Sequence, residues 1–295
     1  MAAGDVAMRS LMFVPGHRER MVQRALGQGE FAPGPLDVAI LDLEDGVPLA
    51  EKQTAREVVA AALRRPSSGA GPARYVRING AHRHIDADLA ALAGAPFDGV
   101  VMPKVEQSVD LIALLERLDH QLAPRRVPVI VSIESARGLL QAANIAGASD
   151  RVVALLFGAE DFALDLGLPA HREGEAAELL FARSAVAVAA AASGQLAIDG
   201  IWPDIADREG LRRDALTGRR LGFAGKSCVH PDQVKTINEV FTPSPGELEH
   251  AERVVEAFEE ATAKGLGAVA LDGKLLDPPI VERARRIVRA AAGRK

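Results

Sequence analysis

Eight short apolar runs, separated by longer segments of helical character, constrain the fold of this 295-residue chain more than any other feature. They occupy residues 10–14, 38–43, 74–78, 99–102, 127–133, 152–157, 196–201 and 223–229. VAIL, VPVIVSI and VVALLF are continuously apolar, as strands are when both faces are covered. Between the runs, residues 48–63, 108–118, 176–192 and 208–217 are Ala-rich or amphipathic at helical period. Such alternation implies βαβ units and a parallel sheet, and eight repeats predict a closed (β/α)8 TIM barrel. A doubly wound sheet is the structural alternative. No GxGxxG follows the first run, however, and Gly27 and Gly29 sit after a helical stretch, where a helix C-cap accounts for them.

The barrel is expected over residues 1–241, and the chain then continues to residue 295, further than the roughly 250 residues a barrel needs. Residues 242–295 read as a C-terminal helical arm: a helix over 245–264, a short hairpin over 268–276 and a helix over 278–291. Such an arm packs on a neighbouring subunit or folds back under its own barrel. Residues 67–72, SSGAGP, read as a surface loop.

Composition bounds the partners. A formal charge of −5 provides no basic footprint for nucleic acid or an anionic membrane surface. A lone cysteine, Cys228, rules out an intrachain disulfide framework and fits a reducing compartment, so a cytoplasmic location is expected. The opening MAAGDVAMRS lacks the apolar core of a secretory signal.

In a (β/α)8 barrel the active site lies at the C-terminal ends of the strands. Polar residues gather there: Pro15 to Arg18 after the first run, then Asp42, Glu44 and Asp45, Arg77 and Asn79, Lys104, Glu134, Glu160 and Asp161, and finally Lys226, Ser227 and His230. Glu134 and Asp161 follow consecutive runs and would project two carboxylates to the barrel mouth. That donor set suits Mg²⁺, which takes one or two carboxylates plus water and substrate oxygens. The alternative is that each acid caps a following helix. Arg77 offers a planar fork for a substrate carboxylate, or an ion pair with Glu44 or Asp45. Lys104 and Lys226 raise a Schiff-base mechanism, which needs a depressed lysine pKa; beside so many carboxylates a raised one is expected. Cys228 reads as a small buried hydrophobe, His230 as a ligand donor or a loop anchor, and Trp202 as shaping the loop after the seventh run.

The motifs RSLMFVPGHRER (9–20), LDLEDGV (41–47), VRIN (76–79), MPK (102–104), IESARG (133–138), FGAEDF (157–162), GKSCVHP (225–231) and LLDPP (275–279) resemble the citrate lyase β subunit-like branch of the HpcH/HpaI aldolase family. That branch includes citramalyl-CoA and malyl-CoA lyases. The resemblance runs from about residue 9 to residue 290, with Ser135 standing where the family pattern has Thr.

The resemblance implies a magnesium-dependent carbon-carbon lyase that cleaves a 3-hydroxyacyl-CoA thioester to acetyl-CoA and an α-keto acid by retro-Claisen chemistry. It implies Glu134 and Asp161 as magnesium ligands, Arg77 as the clamp on the keto acid carboxylate, and Asp277 as the acid/base group, carried by the arm into a neighbouring subunit of a trimer or multiple of trimers. Spacing alone also suits Asp277 as a helix N-cap before Pro278. Glu44 and Asp45 would orient Arg77 and the metal's waters, and Arg18, with Arg20 and Lys104, would meet the CoA phosphates. The other possibilities are a CoA-independent metal-dependent pyruvate aldolase, a citrate lyase β subunit acting on a carrier-protein thioester, and a non-enzymatic assembly or ligand-sensing subunit.

Overall fold

The computed structural model describes residues 7–32, 34–66, 71–80, 84–169 and 176–292; the stretch 67–70 of the SSGAGP segment and the first six residues lie outside them. Eight parallel strands close into a barrel: β1 (Ser10–Pro15), β2 (Val38–Asp42), β3 (Ala73–Arg77), β4 (Gly99–Met102), β5 (Val129–Ile133), β6 (Val152–Phe157), β7 (Leu196–Asp199) and β8 (Gly225–Cys228). Each pairs with the next, and Ser10 to Met12 of β1 pair with Lys226 to Cys228 of β8 to complete the ring. Every strand falls on one of the eight apolar runs, apart from a residue or so at the ends. The structure is therefore the (β/α)8 barrel that the alternation predicts.

Successive side chains on a strand point to opposite faces, so each strand feeds two cores. Leu11, Val38, Ile40, Tyr75, Ile130 and Ile198 belong to one apolar cluster that draws on the strands and on Met8 just before β1, and fills the barrel interior. The alternate residues, among them Met12, Ala39, Leu41, Val76 and Val131, join helix residues such as Val22, Leu63, Leu89 and Leu114 in a second cluster between barrel and helices. This parity explains why the strands read as continuously apolar. It also sets the direction of each polar residue at a strand end: Asp42, Arg77 and Glu134 continue the inward series, whereas Asp199, Lys226 and Cys228 continue the outward one.

Helices follow the runs as their patterns predict, with local refinements. The 48–63 segment starts as a 3₁₀ turn (Leu49–Glu51) and continues as Lys52–Arg64, while 176–192 resolves into Ala177–Leu179 and Leu180–Ala192. The segments beginning at 108 and 208 run on to Leu122 and Leu221. Gly27, at φ 62°, closes the helix Glu19–Leu26 in the left-handed conformation that a C-cap requires. No helix among the described residues is long and apolar enough to cross a membrane.

The chain divides into two compact units, Met1–Phe241 and Thr242–Lys295. Within the second, helix Pro245–Ala263 begins with a capping box: the Ser244 hydroxyl accepts from Glu247 N (3.2 Å) and the Glu247 carboxylate accepts from Ser244 N (2.7 Å). An antiparallel hairpin, β9 (Val269–Leu271) and β10 (Lys274–Leu276), leads to helix Pro278–Ala292. Ala251, Val254, Leu276, Val281 and Ala284 form a core of this unit's own.

On the outward side of β7 and β8, the Lys226 ammonium donates to Asp199 (2.9 Å) and Asp214, and Arg183 pairs with the same two acids at 2.6 and 2.9 Å. All four side chains are almost completely buried. Burial opposes ionisation of Asp199, but Lys226 and Arg183 outweigh it and hold its carboxyl below the usual range. Lys226 is thus a structural ion-pair residue facing the helices and not a Schiff-base nucleophile. Lys226→Met would leave two buried carboxylates with one guanidinium. It is expected to cost about 3–5 kcal/mol of stability, read as a lowered midpoint in denaturant unfolding.

Candidate active site

The C-terminal mouth of the barrel is organised by Arg77 and Asp42, the last residues of β3 and β2, which are register partners. Arg77 donates from Nε and Nη2 to the two oxygens of Asp42 at 2.7 and 2.6 Å, and its Nη1 lies 3.1 Å from Glu44 Oε2. The guanidinium stacks 4.6 Å from the centre of the Phe13 ring. Burial disfavours its charge, but Asp42 and the neighbouring carboxylates more than compensate and push the Arg77 pKa up. A guanidinium has five N–H donors, so Nη hydrogens remain for a ligand oxygen.

Asp42 also organises the loop that follows it. Its carboxylate accepts the backbone N–H groups of Glu44 and Gly46, both at 2.9 Å. The Lys52 ammonium braces the same loop from behind, donating to Leu43 O (2.7 Å), Glu44 O (2.7 Å) and Asn79 Oδ1 (2.8 Å), and its partial burial lowers its pKa. Burial likewise raises the Glu44 pKa against the opposing pull of Arg77 and Lys104.

Glu134 follows β5 directly and is only 5% exposed. Its Oε2 accepts the backbone N–H of Lys104 at 3.0 Å, and Lys104 adopts φ 55°, a strained conformation for a side-chain-bearing residue. On the other side, a Cβ added at Gly158 would lie 2.2 Å from Glu134 Cγ, so only glycine leaves room for this carboxylate. Desolvation raises the Glu134 pKa to about 7, helped by the carboxylates of Glu44 and Asp161 and resisted by Arg77 and Lys104. Asp161 sits in the first turn of helix Ala159–Asp165, where no side chain caps the helix. Ser135 caps the helix after β5 by accepting from Gly138 N at 3.1 Å. Neither Glu134 nor Asp161 is therefore spent as a helix cap.

Two cavities, of about 260 and 280 Å³, both border Glu134 and Asp161. Arg77, Asp42, Phe13 and Ser227 line the first; Lys104, Glu106 and Asp165 line the second. No group of three or more His, Cys, Asp or Glu side chains among the described residues forms a metal site. Mg²⁺ does not need one: two carboxylates completed by water and ligand oxygens match its preference, and the acidic surplus around buried Glu134 suits a divalent cation.

The structure brings Arg77, Glu134 and Asp161 to one cavity and sets Glu44 behind Arg77. Asp45 differs from expectation. It makes no ion pair with Arg77; its carboxylate accepts from the Lys104 ammonium at 2.6 Å, and Lys104 also lies 2.9 Å from Glu44. Burial opposes charge on both partners, but the pair's attraction holds the Asp45 carboxyl below the usual range and pushes the Lys104 ammonium above it, the opposite of what a Schiff-base lysine requires. Arg18 is exposed and lines a separate cleft with His17, Arg20 and Arg24, not the Glu134 cavities. Asp277 belongs to the second unit, where its Oδ1 accepts from Ile280 N at 3.2 Å as a helix cap.

His230 anchors its own loop, its Nδ1 accepting from Asp232 N at 3.2 Å, and the Trp202 carbonyl accepts from Gln233. Cys228 is fully buried, and burial raises its thiol pKa to about 12. Sequence reasoning placed Asp42 among the strand-end polar residues without giving it a role, and did not single out Lys52 or Gly158. An acid ending an apolar strand, followed four residues later by glycine, was the available signal for Asp42.

Carboxylates and a guanidinium at the C-terminal mouth of a closed parallel barrel define the class of (β/α)8 barrel enzymes. The chain belongs to the HpcH/HpaI aldolase/citrate lyase family, whose model matches residues 9–231. It is 36% identical over 289 residues to the citrate lyase subunit beta of Leuconostoc mesenteroides subsp. cremoris, covering 96% of this chain and 93% of that protein. It is 35% identical over 284 residues to a (3S)-malyl-CoA thioesterase of Cereibacter sphaeroides, covering 96% and 94%. Among solved structures, CitE from Mycobacterium tuberculosis in complex with magnesium, acetoacetate and coenzyme A superposes with a TM-score of 0.78 at 33% identity, covering 98% of this chain and 99% of that one.

The raised Glu134 pKa has a consequence for stability without metal. The neutral acid is favoured in the fold, so its contribution is complete below the ordinary carboxylate range and is lost as pH rises through about 7. Metal-free Glu134→Gln is expected to melt above the metal-free wild type at pH 8, by an amount equivalent to roughly 2–3 kcal/mol, with the gap closing towards pH 4. Thermal melts across that range in the presence of chelator check it.

Proposed function

We propose that the chain is a magnesium-dependent carbon-carbon lyase that cleaves a 3-hydroxyacyl-CoA thioester to acetyl-CoA and an α-keto acid. The observation that carries this is the convergence of Glu134 and Asp161 with Arg77 on one cavity at the barrel mouth. The likeness to a structure holding magnesium, acetoacetate and coenzyme A supports it. Glu134 and Asp161 would hold the metal, which when bound would supply Lewis-acid stabilisation of charge on the keto acid oxygen. Arg77 takes the keto acid carboxylate with its remaining Nη hydrogens, while Asp42 and Glu44 keep the guanidinium in place. Asp45 acts one step further out, by fixing Lys104.

In the cleavage direction the substrate hydroxyl gives its proton to solvent water as the carbonyl forms. The adjacent carbon-carbon bond breaks, and its electron pair passes to the α carbon of the acetyl thioester. That carbon must be protonated, and Asp277 is the acid. It is delivered by the unit 242–295 of a neighbouring subunit in a trimer or multiple of trimers; support comes from this unit's own core and from the family position of the LLDPP motif. Arg18 and Arg20, exposed on one cleft, meet the CoA phosphates. A single cysteine, Cys228, which has no intrachain disulfide partner, fits a cytoplasmic location.

Magnesium-dependent release of acetyl-CoA is expected from at least one of citramalyl-CoA, malyl-CoA and citryl-CoA, or of propionyl-CoA from β-methylmalyl-CoA. Glu134→Ala and Asp161→Ala should abolish both turnover and its metal dependence while the circular dichroism spectrum is unchanged. Silence on every CoA ester, together with cleavage of a carrier-protein thioester or of a free hydroxy-keto acid, would move the assignment to a citrate lyase subunit or a CoA-independent aldolase.

Asp277→Asn separates the two roles of that residue, because Asn caps a helix about as well as Asp but donates no acidic proton. Turnover is expected to fall by roughly 10²-fold or more with keto acid binding retained. Wild-type turnover in the variant, or a fully active monomer by light scattering, would remove the arm from the mechanism.

A further inference from the structure

Asn79 closes the VRIN motif at the barrel mouth, yet neither the magnesium ligands nor the clamp involves it. Its side chain instead ties the loop after β2 to a buried acid on a helix. The Asn79 backbone N–H and its Nδ2 both donate to Asp88 Oδ2, at 2.8 and 2.6 Å. Asp88 lies in the first turn of helix Ile85–Leu92, is fully buried, and accepts from Arg56 Nε on its other oxygen at 2.8 Å. In the opposite direction, Asn79 Nδ2 donates to Leu43 O and Asn79 Oδ1 accepts from the Lys52 ammonium, both at 2.8 Å. An ammonium has three hydrogens, and Lys52 directs the other two to Leu43 O and Glu44 O, each at 2.7 Å.

Strand β2 ends at Asp42, so the carbonyls of residues 43 and 44 are met by side chains and not by a neighbouring strand. Glu44, held by its carbonyl in this way, sets its carboxylate 3.1 Å from Arg77 Nη1. Lys52 is half-buried, so water can take its place as a donor to the two carbonyls. Water does not fix their direction relative to Asn79 and helix Ile85–Leu92. Loss of the ammonium therefore costs the fold little and the orientation of Glu44 much.

We propose that Asp88, Asn79 and Lys52 are positioning residues: a buried chain that runs from helix Ile85–Leu92 to the backbone of Glu44 and so holds the Arg77 guanidinium aligned for a ligand carboxylate. This rests on the reading of Arg77 as the clamp of a thioester lyase and adds to it three residues that touch neither metal nor substrate.

The test uses the full-length protein with Mg²⁺, the thioester that the wild type cleaves, and variants shown to be folded by circular dichroism. Lys52→Met is expected to lower kcat/KM at least roughly tenfold, the scale of loss that follows from a misplaced binding group. Asn79→Ala, which cuts the chain between Asp88 and Lys52, should act in the same direction and serves alone if Lys52→Met does not fold. Because Lys52 acts through Glu44, Lys52→Met combined with Glu44→Gln should be within about twofold of the worse single variant, whereas a general loss of stability would multiply the two effects. Amide exchange of segment 43–47, which needs no turnover, should accelerate in Lys52→Met. Aminoethylation of Lys52→Cys with 2-bromoethylamine rebuilds an ammonium at that position and should restore both exchange protection and turnover. The native Cys228 is fully buried, with its thiol pKa raised to about 12, and stays unmodified. Wild-type kcat/KM in Lys52→Met, multiplied losses in the double variant, or unchanged exchange overturns the proposal and leaves the lyase assignment standing. A wild type that cleaves no thioester sinks the lyase assignment instead, and exchange with its aminoethyl rescue then decides whether the chain holds the loop.

Discussion

In a closed parallel barrel every strand residue faces either the interior or the surrounding helices, and this two-residue alternation decides the fate of each charged group near a strand end. Asp42, Arg77 and Glu134 fall on the inward series and meet at the mouth. Asp199 and Lys226, equally close to the ends of their strands, fall on the outward series and are sealed against Asp214 and Arg183 beneath the helices. The first group is left with donors and cavity space, and the second with neither. Acids and cations at nearly identical positions along their strands therefore become a ligand site in one case and part of the core in the other.

At the mouth, the charges are held by one another before any ligand arrives. Arg77 is fixed by Asp42, Asp42 by two backbone N–H groups, and the intervening loop by Lys52. Glu134 is fixed by the strained Lys104 backbone and by the absence of a side chain at Gly158. Such bracing is what a site needs to hold charged groups without reorganising as a ligand binds. What the bracing leaves over among the described residues is negative: Glu134 and Asp161 make no ion pair with a described lysine or arginine comparable to the one Asp42 makes with Arg77. A divalent cation suits that remainder.

The candidate residues were legible to different degrees for identifiable reasons. Glu134 and Asp161 stood out because each follows a buried apolar run, a position whose geometry the barrel dictates. Helix capping competed with that account, and only the structure showed Ser135 taking the cap after β5. Arg77 was legible as a clamp, yet Asp42 was not named as its partner: the bidentate pair depends on the register between β2 and β3, which no local pattern encodes. Asp45 was assigned to Arg77 because it follows the adjacent strand, whereas its side chain turns to Lys104, 59 residues away.

The sequence by itself determined the architecture: eight apolar runs alternating with helical segments leave one economical way to cover both faces of every strand, and that is the barrel. It also determined the family, through motifs that lie at the strand ends, and the hard-oxygen character of the donor set at the mouth. Tertiary structure alone decided which charges neutralise one another and which remain available. Ion pairing falls off with distance and desolvation depends on what surrounds a group, and both are properties of neighbours in space, set by strand register and side-chain parity and not by order along the chain.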